Sequence, residues 1–183
     1  MKRILLIIIL LSSVANAQNN KSVEKSLFTI QTGTIGIWVN NETRLTDKIA
    51  LRTEIGLYTE ILGGSGFFMA PEITLEPRWY YNMQERTTKK RDVTNNSANF
   101  FTIKTSFRSN IFELSSFDDG LDRAENSFAI IPKLGIKRNL GKHFNYEVGL
   151  GVGYIHFINQ KYFRTFDNNG IVIDLHVRIG YNF

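Results

Sequence analysis

The chain ends in IVIDLHVRIGYNF, Ile171 to Phe183, and strict alternation divides these residues between two faces. Ile171, Ile173, Leu175, Val177, Ile179, Tyr181 and Phe183 take one face. Val172, Asp174, His176, Arg178, Gly180 and Asn182 take the other. A period of two fits a strand with one apolar and one polar face. Any fold must then decide which face meets water.

The same period recurs along the chain. In Lys48–Ile61, Ile49, Leu51, Ile55, Leu57 and Ile61 oppose Lys48, Arg52, Glu54, Tyr58 and Glu60. In Phe67–Met83, Phe67, Met69, Ile73, Leu75, Trp79 and Tyr81 oppose Glu72, Thr74, Glu76, Arg78 and Asn82. Asn99–Arg108 sets Phe101, Ile103 and Phe107 against Thr102, Lys104, Ser106 and Arg108. Phe144–Phe157 sets Val148, Leu150, Val152 and Tyr154 against Glu147, Gly149, Gly151 and Gly153. Ser127–Asn139 carries Lys133, Gly135 and Lys137 on its polar side. Leu27–Val39 is strand-like, but its phase slips near Gly33, where a bulge is expected. These runs exceed the roughly 5–6 residues of ordinary strands and match the ~9–11 tilted residues that cross a bilayer.

The N-terminus carries a separate signal. MKRILLIIILLSSVANA has Lys2 and Arg3, an apolar run from Ile4 to Leu11, and Ala15-Asn16-Ala17, which is the layout of a secretory signal peptide. The apolar run is shorter than the roughly 20 residues of a membrane-spanning helix. Residues 1–17 are therefore expected to be removed, and 18–183 to form one exported domain. The chain has no cysteine, which excludes a disulfide framework, thiol chemistry and Cys-based metal sites. Its net charge of +5 includes Lys2 and Arg3, and so small an excess gives no case for nucleic acid.

These features together favour an all-β chain, an antiparallel up-and-down transmembrane barrel of about eight strands. Its apolar rows would face lipid, with Trp79, Tyr81, Tyr154 and Tyr181 as an aromatic girdle. Arg52, Glu54, Glu72, Glu76, Arg78, Lys104, Lys133, Glu147, Asp174, His176 and Arg178 would fill the lumen as a paired charge network. Unpaired burial of such groups costs several kcal/mol, on the order of a fold's whole stability.

With a cleavable signal, regular amphipathic strands and the ending Tyr181-Asn182-Phe183, the chain resembles a small Gram-negative outer-membrane β-barrel of the OmpA/OmpX architecture. The stretches EPRWYYN (Glu76–Asn82) and NYEVGLGVGY (Asn145–Tyr154) are similar in style to uncharacterised barrels of Bacteroidetes-type bacteria. The resemblance implies residence in the outer membrane after signal cleavage. It also implies that Tyr181 and Phe183 serve as an assembly signal for the barrel-insertion machinery. It supplies no ligand.

Two strand counts close the barrel. In the preferred one, Ile111–Ser116 is a strand joined to its predecessor by a turn at Ser109-Asn110. The long loops at 40–47, 84–97, 117–126 and 159–170 then share the extracellular side. In the other, residues near 22–31 add a short strand and loop 84–97 moves to the periplasm. Two similar hairpin stretches, LTDKIALRTEIGL and LGKHFNYEVGL, support that second count. Pro71 and Pro77 are expected to mark a bulge or a strand that outruns the membrane.

Little in the sequence points to chemistry. Asp174 and His176 could be half of a hydrolytic triad, as in an outer-membrane lipid-modifying hydrolase or acyltransferase, but no serine is placed beside them. The histidines follow no ligand spacing, so neither metal nor cofactor is expected. The acidic run Asp118–Glu125 lacks the spacing of a calcium loop. Arg86, Lys89, Lys90 and Arg91, if extracellular, would meet lipopolysaccharide phosphates. The expectation is a monomeric, non-catalytic barrel with a structural, adhesive or envelope role. A narrow small-solute channel is the remaining rival.

Overall fold

The computed structural model describes residues 22–33, 36–62, 66–116, 124–158 and 168–183. The signal segment and most of the Asp118–Glu125 run lie outside them. The strands are β1 (Ser26–Gly33), β2 (Gly36–Arg44), β3 (Ile49–Leu62), β4 (Gly66–Trp79), β5 (Asn99–Arg108), β6 (Leu114–Ser115), β7 (Asn126–Leu140), β8 (Phe144–Ile158) and β9 (Asn169–Asn182). A short helix, α1 (Met83–Thr88), and a 3₁₀ turn at Thr94–Asn96 lie between β4 and β5. Eight of the strands form a closed antiparallel barrel, and β6 is additional. The seam closes where β1 pairs with β9, from Thr29 opposite Asn182 to Gly33 opposite Arg178.

This architecture follows the second strand count. Leu27–Val39 is no bulged strand: it is a hairpin whose arms pair from Ser26–Thr43 to Gly33–Gly36, so the phase slip marks a reversal. Ile111–Ser116 supplies no eighth strand either. Its two paired residues continue β5 along the same edge of β4, with Ser115 opposite Phe68 and Leu114 opposite Met69. Residues of the 80–98 segment therefore sit at the barrel end that holds both termini and the turns at 45–48 and 141–143. The preferred count sets loops 40–47 and 84–97 opposite the turn at 140–142; both instead share its end. Supplying the extra strand from the N-terminal segment keeps the number even, and an even number brings both termini to one end.

The prolines interrupt hydrogen bonds without shifting register. Around Pro77, the pairs Leu75–Thr105 and Arg78–Thr102 keep a single alignment, and the Thr102 hydroxyl donates to the Pro77 carbonyl at 3.0 Å. Pro71 pairs in line with Leu57 on β3. No bulge forms at either, because a missing N–H removes one bond while the side chain still fits an outward row.

Stepping between paired residues from Thr29 through Asn40, Glu54, Thr74, Ser106, Ala129 and Ile155 reaches Gly170 on β9. Thr29 itself pairs with Asn182, twelve residues further along β9. Eight strands with this stagger tilt by about 45° and set a radius of about 9 Å. A bore that wide needs long side chains to fill it.

The end with the termini is sealed by an apolar cap. Val23 from the N-terminal segment packs with Ala50, Tyr80, Met83, Val93, Ala98 and Phe100, all nearly or completely buried. Polar ties fix the cap to the lumen. Asn96 Nδ2 donates to Glu42 Oε2 at 2.6 Å, the Tyr80 hydroxyl donates to the same oxygen at 2.7 Å, and the Glu24 amide donates to Asn96 Oδ1 at 2.7 Å. Burial pushes the Tyr80 phenol well above its usual range, and the Glu42 carboxylate adds to this, so the hydroxyl remains a donor. Tyr80→Phe is expected to cost about 1.5 kcal/mol, the low end for a bond to a charged group, because Asn96 still holds that oxygen. Urea unfolding of the variant in lipid vesicles measures it.

Candidate functional site

Every residue assigned to the charge network lies on the inner face. Arg52, Glu54, Glu72, Glu76, Arg78, Lys104, Lys133, Glu147, His176 and Arg178 are buried, and the Asp174 side chain is 11% exposed. On alternate positions Ile55, Ile73, Leu75, Ile103, Leu134, Leu150, Leu175 and Ile179 are exposed around the outside. The barrel is thus inverted relative to a water-soluble one.

The network is centred on Glu147 of β8. Arg78 reaches it through two bonds, Nη1 to Oε2 at 2.9 Å and Nη2 to Oε1 at 2.7 Å, and Arg52 Nη1 donates to Oε2 at 3.1 Å. Arg52 also bonds Glu54 and Gln31. Arg78 Nη2 lies 2.7 Å from Glu76, whose other oxygen takes a bond from Lys133 at 3.1 Å. Lys137 Nζ donates to Glu42 at 2.9 Å, and Arg178 Nη1 to Glu54 at 2.7 Å. Gln31, Asn40, Asn145 and Asn182 form an amide chain beside the seam.

Sequence reasoning left Glu42, Lys137, Tyr80 and Trp38 out of this set. Lys137 was visible on the polar row of its strand. Glu42 was hidden because Leu27–Val39 was read as one strand, which placed residue 42 in a loop. With the hairpin recognised, Trp38, Asn40 and Glu42 alternate inward in phase. Trp38 takes the Arg178 guanidinium over its ring at 3.7 Å, and the inward Gly56 leaves the indole its space on β3. Gly149 does the same for His176, where an added Cβ would stand 2.7 Å from the ring.

His176 sits between a cation and a carboxylate. Lys133 Nζ lies 3.1 Å from Nδ1, and Glu147 Oε1 lies 3.0 Å from Nε2. Because an ammonium can only donate, Nδ1 accepts and Nε2 carries the proton; Nε2 is buried beside Glu147 without forming a hydrogen bond. Asp174 stands 3.6 Å from Nδ1 and is engaged by Lys104 at 2.9 Å. A hydrolytic base needs a nucleophile at hydrogen-bond reach. Among the described residues, no serine hydrogen-bonds to His176, although Ser106 lines the cavity that His176 also borders. Nor do three metal-ligating side chains gather as a site among the described residues.

Towards the end opposite the termini the network thins. A cavity of about 150 Å3 lies there, bordered by Trp38, Tyr58, Glu72, Lys104 and Asp174 and, across from them, by Ala129, Ile131, Ile155 and Val172. At the capped end, Trp79 and Tyr81 pack edge to face at 5.9 Å, and Tyr181 meets Phe144 and Phe183 at 5.3 and 5.1 Å. Tyr154 projects outward higher up, its hydroxyl 2.5 Å from Asn169. The Phe183 amide donates to the Phe28 carbonyl at 3.1 Å, so the final residue locks the closing seam. Arg86 is turned onto the Asp92 carbonyl, Lys89 pairs with Glu85 at 2.5 Å, and Lys90 and Arg91 are exposed at this same end.

Compared with models of known families, with curated proteins and with solved structures, the chain matches none.

Removing one member of the central network leaves its partners charged and buried. Arg78→Met is expected to destabilise the barrel by about 3–5 kcal/mol, and the double variant Arg78→Met/Glu147→Met to recover part of that loss. Equilibrium unfolding of the two variants and Glu147→Met completes the cycle.

Proposed function

We propose that the protein is an outer-membrane β-barrel with a structural, adhesive or envelope role, carrying neither catalytic chemistry nor an open pore. The observation that carries this reading is the inversion: charged groups face inward, and a continuous apolar band faces outward. From Tyr181 to Ile171 the outward row of β9 covers about ten residue steps, which on a strand tilted by about 45° spans about 24 Å. That height suits the ~25 Å apolar band of outer-membrane barrels, flanked by aromatic residues. Water around such a surface would meet an unbroken ring of isoleucine, leucine and valine, far beyond the patches soluble monomers expose.

Catalysis is disfavoured because His176 Nδ1 faces Lys133 and, among the described residues, no serine hydrogen-bonds to the ring. Conduction is disfavoured because the network crosses the lumen and the apolar cap closes one mouth. A chain inserted from the periplasm keeps its termini there, with Tyr181 and Phe183 facing the insertion machinery during assembly. In this orientation Arg86, Lys89, Lys90 and Arg91 are periplasmic. Lipopolysaccharide contact then no longer falls to that cluster, and the outer-membrane lipids remain the proposed partners of the apolar band.

Two measurements test the reading. Brief protease treatment should leave the Lys89-Lys90-Arg91 site uncut in intact cells and cut it after permeabilisation; cutting in intact cells would reverse the orientation, and recovery in a soluble fraction would refute the membrane assignment. In planar bilayers the purified barrel should show almost no single-channel conductance, whereas steady ohmic steps would favour the channel.

A further inference from the structure

The barrel wall is not equally tall all round. β1 pairs with β9 only as far as Gly33 opposite Arg178, and β2 pairs with β3 only as far as Gly36 opposite Tyr58. β9 continues to Asn169 and β3 to Leu62. No strand among the described residues stands above the β1–β2 hairpin between β9 and β3. Among the described residues, the β9 edge from Asn169 to Val177 has no partner on that side. Exposure of its outward residues rises along the gap: Val177 45%, Leu175 59%, Ile173 69% and Ile171 83%. A free strand edge within hydrocarbon is tolerated only where protein covers it or where it borders a polar cavity. Here it borders one. Ile173 and Leu175 of this edge line the cavity together with Val172 and Asp174, so the unpaired β9 edge forms part of its wall.

The cavity is built for a particular kind of head group. Trp38, Glu72 and His176 border it, each is 3% exposed or less, and Trp38 Nε1, Glu72 Oε2 and His176 Nε2 have no hydrogen-bond partner. The neighbouring charges are already engaged. Lys104 lies between Asp174 at 2.9 Å and Glu72 Oε1 at 3.3 Å, and Arg108 stacks on Tyr58 at 3.6 Å beside Glu60. Arg178 is set against Glu54. Arg108 Nε and Arg178 Nε also lack partners, but they belong to guanidiniums with carboxylates beside them. What remains unspent is chiefly two neutral donors, Trp38 Nε1 and His176 Nε2, and one acceptor, Glu72 Oε2, a set that hydroxyl groups complement. Ala129, Ile131, Ile155 and Val172 supply an apolar shelf opposite.

We propose that the gap between β9 and β3 is a lateral portal, and that the cavity behind it seats the small, uncharged, hydroxyl-bearing head of a single-chain amphiphile whose tail runs out into the bilayer. The proposal rests on the membrane reading above. A volume of about 150 Å3 suits a glycerol-sized head better than a phospholipid's. The polar floor satisfies the head, and the apolar residues Leu175 and Ile173 flank the tail's exit.

The test uses the full mature chain carrying Trp79→Phe in lipid nanodiscs, so that Trp38 alone reports. Failure to enter nanodiscs as a folded, heat-modifiable band would sink the membrane reading itself. In inserted protein, 1-monodecanoylglycerol should shift Trp38 emission saturably. Glycerol, decanoate and decyltrimethylammonium should produce no saturable shift. Glu72→Ala should weaken the response about tenfold, and Ala129→Phe, which fills the cavity, should abolish it. Either variant is scored only if it inserts as the same folded band; should one fail, Val172→Phe is the alternative block. A flat response to monodecanoylglycerol, an equal response to free glycerol, tighter binding of a charged amphiphile, or an unchanged response in the filled variant would each overturn the proposal.

Discussion

Mutual neutralisation of buried charge is the constraint from which the rest of this structure follows. Arg52, Arg78, Lys104, Lys133, Lys137 and Arg178 share the lumen with Glu42, Glu54, Glu72, Glu76, Glu147 and Asp174, six of each sign. Placing one such ion alone in an apolar interior costs several kcal/mol, on the scale of the whole stability of a domain. The barrel can turn its aliphatic residues outward only because each inward charge has a counter-charge within reach. Lone neighbouring pairs would not suffice: Glu147 bonds two arginines, Arg52 bonds two carboxylates, and Glu76 links Arg78 to Lys133.

The stagger explains why these residues are long. At a radius of about 9 Å, short side chains would leave an empty bore, whereas Arg, Lys and Glu reach the axis and meet partners from across the barrel. Arg78 of β4 and Glu147 of β8 meet in this way, from opposite walls. Where the network gives way to Ala129, Ile131, Ile155 and Val172, the interior opens into the cavity, and the unpaired β9 edge borders it.

Several elements were legible in the sequence for plain reasons. Alternation over long segments identified β3, β4, β5, β8 and β9, because a period of two survives any tertiary context that keeps one face apolar. It also assigned the inward charges by face. It failed where the pattern was short or interrupted: the β1–β2 hairpin turns within a run of strand-forming residues, and Ile111–Ser116 looked independent though it prolongs β5. Those two errors compensated in the strand count and reversed the side of loops 40–47 and 84–97. Proline looked like a register break, but register is held by the flanking pairs.

The sequence by itself determined which residues share a face and that the strands are long enough to cross a bilayer, because both depend only on local backbone geometry. Pairing across the barrel was decided by the tertiary structure alone. That Glu147 meets Arg78, that Trp38 lies under Arg178, and that the wall is lower between β9 and β3 all depend on register and stagger. These are properties of strands relative to one another, and a period of two along each strand carries no record of them.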